Sequence, residues 1–271
     1  MVRITGILQK MSVENTCPVT YRLSLGGQPL VVNDYLGQDI EMVFSGRILC
    51  LACGRQTRKS FQRGYCYPCF RKLACCDLCI VRPELCHFSA GTCRQPQWGQ
   101  QHCMTDHIVY LANSSGTKVG ITRATQLPTR WIDQGADCAL AIFSVPNRLV
   151  SGQLEVAFKA HIADRTDWRK MLKGSPAVVA LREIRDQLVA KIDDGLLELR
   201  KQHRITFLGD ADIVPIVYPV AQYPEKIKAL NFDKTTTISG CLQGIKGQYL
   251  LLDSGVLNIR KFAGYEITLI S

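Results

Sequence analysis

The sequence lacks a long apolar run. No window approaches the roughly 18 consecutive apolar residues that a membrane-spanning helix requires. The N-terminal run framed by Arg3 and Lys10 alternates like a strand and has no signal-peptide core. We therefore expect a cytoplasmic protein with no membrane partner. Disulfides are rare in that reducing compartment, so the 13 cysteines predict metal ligands rather than a disulfide framework.

Acidic residues are missing between Arg47 and Lys72, where aromatic residues are interleaved with basic ones. Cations neutralise phosphates and aromatic rings stack on bases, so this stretch predicts contact with DNA or RNA. The alternative is that the cations balance an anionic metal centre and the rings fill a small core. The side chains predicted to bind nucleic acid are Arg55, Arg58, Lys59, Arg63, Arg71 and Lys72.

The formal net charge of +10 also favours a polyanionic partner. Two zinc centres with four thiolates each would lower it to about +6, which weakens the charge argument.

Two Cys-x2-Cys pairs, separated by twelve residues, begin the cysteine-rich segment. Each pair can aim two thiolates at one point, and four thiolates complete the tetrahedral shell of a structural Zn²⁺ ion. A redox dithiol is the main alternative. The predicted ligands are Cys50, Cys53, Cys66 and Cys69.

A second cluster follows, in which Cys76 and Cys79 form a further Cys-x2-Cys pair. Its remaining ligands are ambiguous because the later spacings match no standard finger. Buried free cysteines and an iron–sulfur cluster are alternatives to a second zinc. The candidate ligands are Cys76, Cys79, Cys86, Cys93 and Cys103.

Hydrophobic periodicity predicts an α+β chain of several domains. A good helix is expected from Ser175, a suitable cap before Pro176, to residue 203. The predicted segments are a β unit over 1–49, a cysteine-rich zinc-ribbon module over 50–106, a small α/β domain over 107–174, a helix over 175–204 and a β unit over 205–271.

The two ends of the chain resemble each other. "ITGILQ" from Ile4 matches "ISGCLQ" from Ile238, and "VVNDYLGQDIEM" from Val31 matches "NIRKFAGYEITL" from Asn258. These matches predict two related β units or two halves of one barrel. The alternative is two unrelated meanders with similar turns.

The stretch "VYLANSSGTKVGIT", residues 109–122, predicts a hairpin, and a helix, a strand and a second helix are expected after it. This order resembles the GIY-YIG nuclease superfamily, whose two tripeptides are matched by "VYL" and "KVG". The resemblance keeps a tyrosine as Tyr110 but places Lys118 where the second tyrosine belongs. Arg130 falls at the position of the family arginine and Glu155 at that of the family glutamate.

The resemblance implies a role for each of these four residues. Glu155 would hold a divalent metal, Mg²⁺ or Mn²⁺, at the scissile phosphate, and Arg130 would stabilise the developing charge. Tyr110 would position or deprotonate the attacking water. Lys118 would contact phosphate, since a charged ammonium is no base without a large pKa shift. No histidine occurs at the expected place on the first helix, where Gln134 is nearest. Each residue taken alone also has an ordinary structural role.

Nearly the whole chain also resembles an uncharacterised prokaryotic family, a domain of unknown function. Stretches that carry this resemblance include "CDLCIVRPELCHFSAGTCRQPQWG", "HIVYLANSSGTKVGITR" and "GIKGQYLLLDSGVLNIRKFAGY". Together the features predict a zinc-containing protein that binds nucleic acid and has a GIY-YIG-like domain without established cleavage. The alternatives are an active metal-dependent endonuclease and a non-catalytic protein-interaction module.

Overall fold

The computed structural model describes residues 2–271. The strands are β1 (Arg3–Ile7), β2 (Ser12–Glu14), β3 (Thr20–Leu25), β4 (Gln28–Val31), β5 (Asp39–Leu49), β6 (Gln56–Thr57), β7 (His107–Asn113), β8 (Thr117–Arg123), β9 (Cys138–Val145), β10 (Thr206–Phe207), β11 (Val214–Pro215), β12 (Thr237–Lys246), β13 (Tyr249–Leu252), β14 (Gly255–Asn258) and β15 (Tyr265–Ile270). The helices are α1 (Tyr67–Lys72), α2 (Pro96–His102), α3 (Thr129–Asp133), α4 (Arg148–Lys159), α5 (Trp168–Met171), α6 (Leu181–Lys191) and α7 (Asp193–Gln202).

The two ends of the chain share one sheet of seven strands, which we call the terminal sheet. Its order is β1-β15-β5-β12-β13-β14, and β6 also pairs with β5. Strands from the N-terminal and C-terminal segments therefore alternate over the first four positions of this order, β1-β15-β5-β12. A separate three-stranded sheet, β2-β3-β4, completes the N-terminal part. The predicted terminal β segments thus pair with each other instead of forming two separate sheets.

The pairing of these strands is symmetric. The first strand of each half pairs with the last strand of the other half, so that Gly6 lies opposite Ile267 and Gly240 lies opposite Ile40. A Cβ atom on Gly6 would collide with the Leu25–Gly26 turn, and one on Gly240 would collide with the matching Asp253–Ser254 turn. The likeness between the two sequence segments therefore corresponds to equivalent positions in one interleaved sheet.

The central sheet contains the predicted hairpin. Strands β7 and β8 pair antiparallel, and β9 pairs with the other edge of β7. Alternate residues of β7 face opposite sides, as strand geometry requires. Val109 and Leu111 pack in the cluster that includes α4, α6 and α7, whereas Tyr110 and Ala112 pack with residues of the terminal sheet. The central sheet is therefore covered on both faces.

The segment predicted as one helix from Ser175 forms two helices. The first, α6, begins at Leu181, and Ser175 instead donates its hydroxyl hydrogen to Asp137 Oδ1 at 3.1 Å. A break at Ile192 separates α6 from α7, which begins with Asp193 and Asp194. Two carboxylates suit a helix N-terminus because they complement its dipole. The leucine periodicity is satisfied by both helices, so it does not reveal the break.

Two contacts fix the terminal segments and the cysteine-rich segment to the central sheet. Gly152 on α4 allows the backbone of Pro83 and Glu84 to pass at a distance that any Cβ would block. Lys246 of β12 is fully buried and binds both oxygens of Asp137, at 3.1 and 3.0 Å.

No helix within residues 2–271 is long and apolar enough to cross a membrane. Cytoplasmic residence stays a prediction.

Candidate functional site

Four cysteine sulfurs converge at the end of β5. The Sγ atoms of Cys50, Cys53, Cys66 and Cys69 all lie within 4.8 Å of one another, and Cys53 and Cys66 are 3.8 Å apart. Zn–S bonds of about 2.3 Å in a tetrahedron place sulfurs about 3.8 Å apart. The tetrad can therefore hold a metal ion of the zinc type, and four thiolates leave no open position for catalysis.

Local structure explains why the two cysteine pairs meet. The first pair lies in the turn between β5 and β6, where Gly54 adopts a φ of 69° and donates its N–H to Cys50 O at 2.8 Å. The second pair begins α1, with Pro68 in its first turn. Each pair is thus held in a tight backbone turn by hydrogen bonds that do not depend on the metal.

The thiols of the tetrad share protons. Burial opposes ionisation of Cys50, but backbone N–H groups of Cys66, Ala52 and Cys53 lower its pKa to about 6. Hydrogen bonds that the Cys69 thiol donates to Cys66 and Cys53 raise the pKa of Cys69 to about 12. The thiols are therefore close enough to hydrogen-bond with one another, as the ligands of one cation must be.

The second set of predicted ligands does not form a four-thiol group within residues 2–271. The metal-ligating groups that come together there are Asp77, Cys79 and His87. Asp77 Oδ2 already binds Arg94 Nε at 2.8 Å, so a cation would have to displace an arginine.

The other cysteines of the second set do not complete one group of metal ligands. Cys76 Sγ lies 3.9 Å from Cys75 Sγ, and Cys93 contacts Gln95 O. Cys86 and Cys93 raise the pKa of Cys79, after burial and Asp77, and Cys103 lowers the pKa of Cys86, so these thiols are neighbours. The spacing in the sequence could not distinguish these environments. A second zinc stays a prediction.

A large basic cleft lies between the cysteine-rich segment, the central sheet and the terminal sheet. Its volume is about 1160 Å³, and ten cationic but only four acidic side chains line it. The cations are Lys10, Arg63, Arg82, Lys118, Arg123, Arg130, Arg148, Lys159, Arg165 and Arg260. The acids are Glu84, Asp133, Glu155 and Asp164. The excess of positive charge suits a polyanionic ligand.

The hairpin and α3 form one wall of this cleft. Gly120 lies opposite Tyr110, and a Cβ at residue 120 would come within 2.7 Å of Tyr110 Cζ and Oη, so only glycine fits under the ring. Tyr110 Oη donates to Gln134 Oε1 at 3.0 Å, and Lys118 Nζ donates to the same oxygen at 2.7 Å. Trp131 packs edge-on against Tyr110 with ring centroids 5.9 Å apart. The three polar groups therefore form one fixed unit.

Burial shifts the pKa values of the residues in this wall. Burial, and then the charge of Arg130, lower the pKa of Lys118 to about 8, while Glu155 opposes this change. Burial raises the pKa of Glu155, against the effects of Lys159 and Arg130. Burial also raises the pKa of Tyr110, so its hydroxyl keeps its proton at neutral pH. Arg130 acts on all three groups and is their common neighbour.

A sequence profile of the DUF2797 family, proteins of unknown function, matches residues 37–267. The chain belongs to the DUF2797 family. No curated protein and no solved structure matches the chain. The match runs through the tetrad, the central sheet and most of the shared terminal sheet, so the DUF2797 profile covers all three walls of the cleft.

The DUF2797 chain brings together the four residues selected from the hairpin and its helices. Lys118, Arg130 and Glu155 line the same cleft, and Tyr110 lies behind them with none of its surface exposed. Glu155 also faces Lys159, whose Nζ is 3.7 Å from Glu155 Oε2. Their roles in cleavage are not tested by this geometry.

The basic stretch of the DUF2797 chain divides into two parts. Arg63 lines the cleft, whereas the other predicted cations lie on exposed surface outside it. Three of the interleaved rings pack together: Phe61 stacks on Phe70 at 5.7 Å and lies 5.4 Å from Tyr67. These rings pack on one another without being buried, since Tyr67 is 52% exposed, so the two interpretations of the rings both stay open. The cations outside the cleft are Arg55, Arg58, Lys59, Arg71 and Lys72.

Sequence reasoning missed cations that distant segments bring to the cleft. Arg260 comes from the C-terminal half, Lys10 from the N-terminus, and Arg123 and Arg148 from the ends of β8 and α4. No local motif surrounds these residues. Only the docking of the terminal sheet on α3 places Arg260 and Lys10 beside Arg130.

Proposed function

We propose that this chain binds nucleic acid in the basic cleft, and that a structural Zn²⁺ in the tetrad orders the wall that carries Arg63. The observation that carries the proposal is the lining of the cleft, where ten cations face four acids. Phosphodiesters are the polyanions that such a surface binds, through counterion release and charge-assisted hydrogen bonds. The volume of about 1160 Å³ suits an extended ligand better than a small anion.

The similarity to GIY-YIG nucleases also supports the binding of nucleic acid in this cleft. The order β7, β8, α3, β9, α4 is the order that this similarity implies. Lys118 lies on β8 and Arg130 on α3, the strand and the helix at which the similarity places them, and both side chains line the cleft. In this proposal they bind phosphate.

Binding is tested with fluorescently labelled single- and double-stranded DNA and RNA over a series of salt concentrations. We expect affinity that falls steeply as salt rises, and Arg130→Gln should reduce the salt slope by about 0.7 to 0.9. Arg200→Gln, an exposed change on α7, is the matched control and should leave the slope unchanged. Affinity that does not respond to salt contradicts the proposal and favours a zinc-braced protein-interaction module.

Metal-dependent cleavage is a second candidate, favoured by the common cleft of Lys118, Arg130 and Glu155. Glu155 would hold Mg²⁺ or Mn²⁺, which would polarise a phosphate oxygen. Lys118, whose pKa is lowered to about 8, would be neutral in a larger fraction of molecules than an ordinary lysine and so available as a base. Tyr110 is fully buried and donates to Gln134, so it does not reach a water in the cleft. Because Tyr110 is not available to activate a water molecule, we propose binding first and cleavage second.

Glu155→Gln separates binding from cleavage. Removal of a carboxylate from a cationic cleft should leave nucleic-acid affinity equal or higher, because repulsion of phosphate is reduced. Any cleavage that needs Mg²⁺ or Mn²⁺ should disappear in Glu155→Gln and persist in Glu183→Gln, the control on exposed α6 surface. Cleavage that survives in Glu155→Gln excludes this site as its source.

A further inference from the structure

Three arginines from three separate segments line the cleft. Arg63 belongs to the cysteine-rich segment, Arg130 to α3 and Arg260 to the 3-10 turn Ile259–Phe262. Within residues 2–271 none of the three forms an ion pair with a carboxylate. Arg130 and Arg260 are half-buried, and Arg63 is exposed. Half-buried guanidinium groups usually have an anionic partner, so Arg130 and Arg260 lack the component that would balance them.

The three charges act on one another. Burial lowers the pKa of Arg260, and Arg63 and Arg130 lower it further, whereas Asp133 opposes the shift. Asp133 is already engaged, because Lys10 Nζ binds its Oδ2 at 2.9 Å and Gln248 Nε2 binds its Oδ1 at 2.8 Å. Asp133 is therefore already paired with Lys10 and does not balance the arginines.

The backbone around Arg63 is held in an unusual conformation. Gln62 and Arg63 have φ values of 45° and 64°, so two consecutive residues other than glycine adopt the left-handed region. Hydrogen bonds hold both sides of this segment: Leu51 N–H donates to Gly64 O at 2.8 Å, and Phe61 and Tyr65 pair through their backbones. Strain that surrounding contacts maintain is typical of functional sites. Here it presents Arg63 to the cleft.

The internal repeat shows that the fold does not require a cation at Arg260. The matching residue of the N-terminal half is Asn33, whose side chain bonds Tyr21 N at 2.8 Å and Val19 O at 2.9 Å. Asn33 therefore supports the local backbone, whereas Arg260 lines the cleft. One half of the sheet supplies a structural amide and the other a free guanidinium.

We propose that Arg63 and Arg260 form a phosphate subsite. It lies next to Arg130, which lines the cleft together with Lys118 and Glu155. This inference rests on the proposed function and names the path of its ligand. One phosphodiester of the nucleic acid lies at Arg63 and Arg260, another lies at Arg130, and the backbone crosses from the central sheet to the C-terminal half. Guanidinium groups suit this task because they bind phosphate oxygens bidentately.

The test uses the full chain and two probes, inorganic phosphate and labelled oligonucleotides. Arg63→Gln and Arg260→Gln should each weaken phosphate binding in a calorimetric titration, and each should reduce the salt slope for oligonucleotides by about 0.7 to 0.9. Arg200→Gln should change neither. Arg260→Lys keeps the charge but loses bidentate geometry, so it should retain the salt slope with reduced affinity. Unchanged melting temperatures establish that the variants fold.

The outcomes distinguish the subsite from the proposed function. If the wild type binds oligonucleotides and the slopes of Arg63→Gln and Arg260→Gln equal that of Arg200→Gln, the subsite is overturned and the function stands. If oligonucleotides do not bind but phosphate binding depends on Arg63 and Arg260, the anion site stands and the function fails. If the wild type binds neither probe, both are overturned.

Discussion

Gln134 shows how one side chain fixes the chemistry of its neighbours. Its amide oxygen accepts hydrogen bonds from both Tyr110 and Lys118, at 3.0 and 2.7 Å. An amide oxygen has two lone pairs and takes up no proton in the neutral pH range, so it holds both groups as donors. Tyr110 is therefore presented as a fixed hydroxyl, and Lys118 as a cation or a neutral amine according to pH. In the proposed function, Lys118 in its charged form is the member of this group that donates to phosphate.

His107 gives a prediction at the scale of one residue. Burial, assisted by Arg148 and Arg123, lowers its pKa to about 4, against the effect of the Thr105 carbonyl. Between pH 6.5 and 4 the unfolded chain therefore binds more protons than the folded chain. The free energy of unfolding should fall by up to about 3 kcal/mol as the pH drops through this range, and it should be fully restored above pH 6.5.

Urea unfolding at several pH values measures this effect. His107→Gln should flatten the dependence on pH, because it removes the group that titrates. His161→Gln, on exposed surface, should keep the wild-type dependence. Equal pH dependence in all three proteins would show that His107 is not the titrating group.

At the scale of elements, the cysteine-rich segment has little apolar core of its own. Its buried side chains are largely the cysteines themselves, and its helix α1 has only six residues and no buried ones. A helix of this length is unstable alone, so its position depends on the tetrad. The strand pairing of β5 with β6 fixes the first cysteine pair, and the metal would fix the second against it.

Removal of one ligand tests this dependence. Wild-type protein should contain zinc that Cys66→Ser loses, and the loss should increase proteolysis between residues 50 and 72 because α1 is released. Cys17→Ser, an exposed cysteine outside the cluster, should keep the metal content of the wild type. Metal analysis and limited proteolysis measure both effects. Zinc retained in full by Cys66→Ser would contradict the assignment of the tetrad.

At the scale of the whole molecule, Lys246 connects the terminal sheet with the central sheet. Its ammonium group is fully buried, bonds Asp137 and Gly174 O, and lies 5.2 Å from the centre of the Tyr218 ring. Burial lowers the pKa of Lys246 and raises that of Asp137, so desolvation opposes the attraction within the pair. We expect the pair to specify how the two sheets dock more than it adds to stability.

Lys246→Met should lower the free energy of unfolding at pH 7 by about 3 kcal/mol, because Asp137 is left in its half-buried place without a partner. The double change Lys246→Met and Asp137→Asn should recover part of that loss, since no unpaired charge remains. Lys234→Met, on exposed surface, serves as the control. Chemical denaturation measures all four proteins. If Lys246→Met is as stable as Lys234→Met, the pair of Lys246 and Asp137 is not needed for docking.

The sequence predicted those features that depend on residues close together in the chain. The Cys-x2-Cys pairs, the hairpin and the order of elements around Arg130 and Glu155 are local patterns, and the structure contains each of them. The repeat was also visible as two matching segments. The break at Ile192 and the true start of α6 were not, because leucine periodicity continues through both helices.

The sequence by itself determined the four cysteines of the tetrad and the segments that build the central sheet, because short-range spacing and alternation decide them. The tertiary structure alone decided that the two ends of the chain interleave in one sheet, and that this sheet brings Arg260 and Lys10 to the cleft. Pairing between strands more than 200 residues apart follows from the burial of whole faces, which no local pattern encodes.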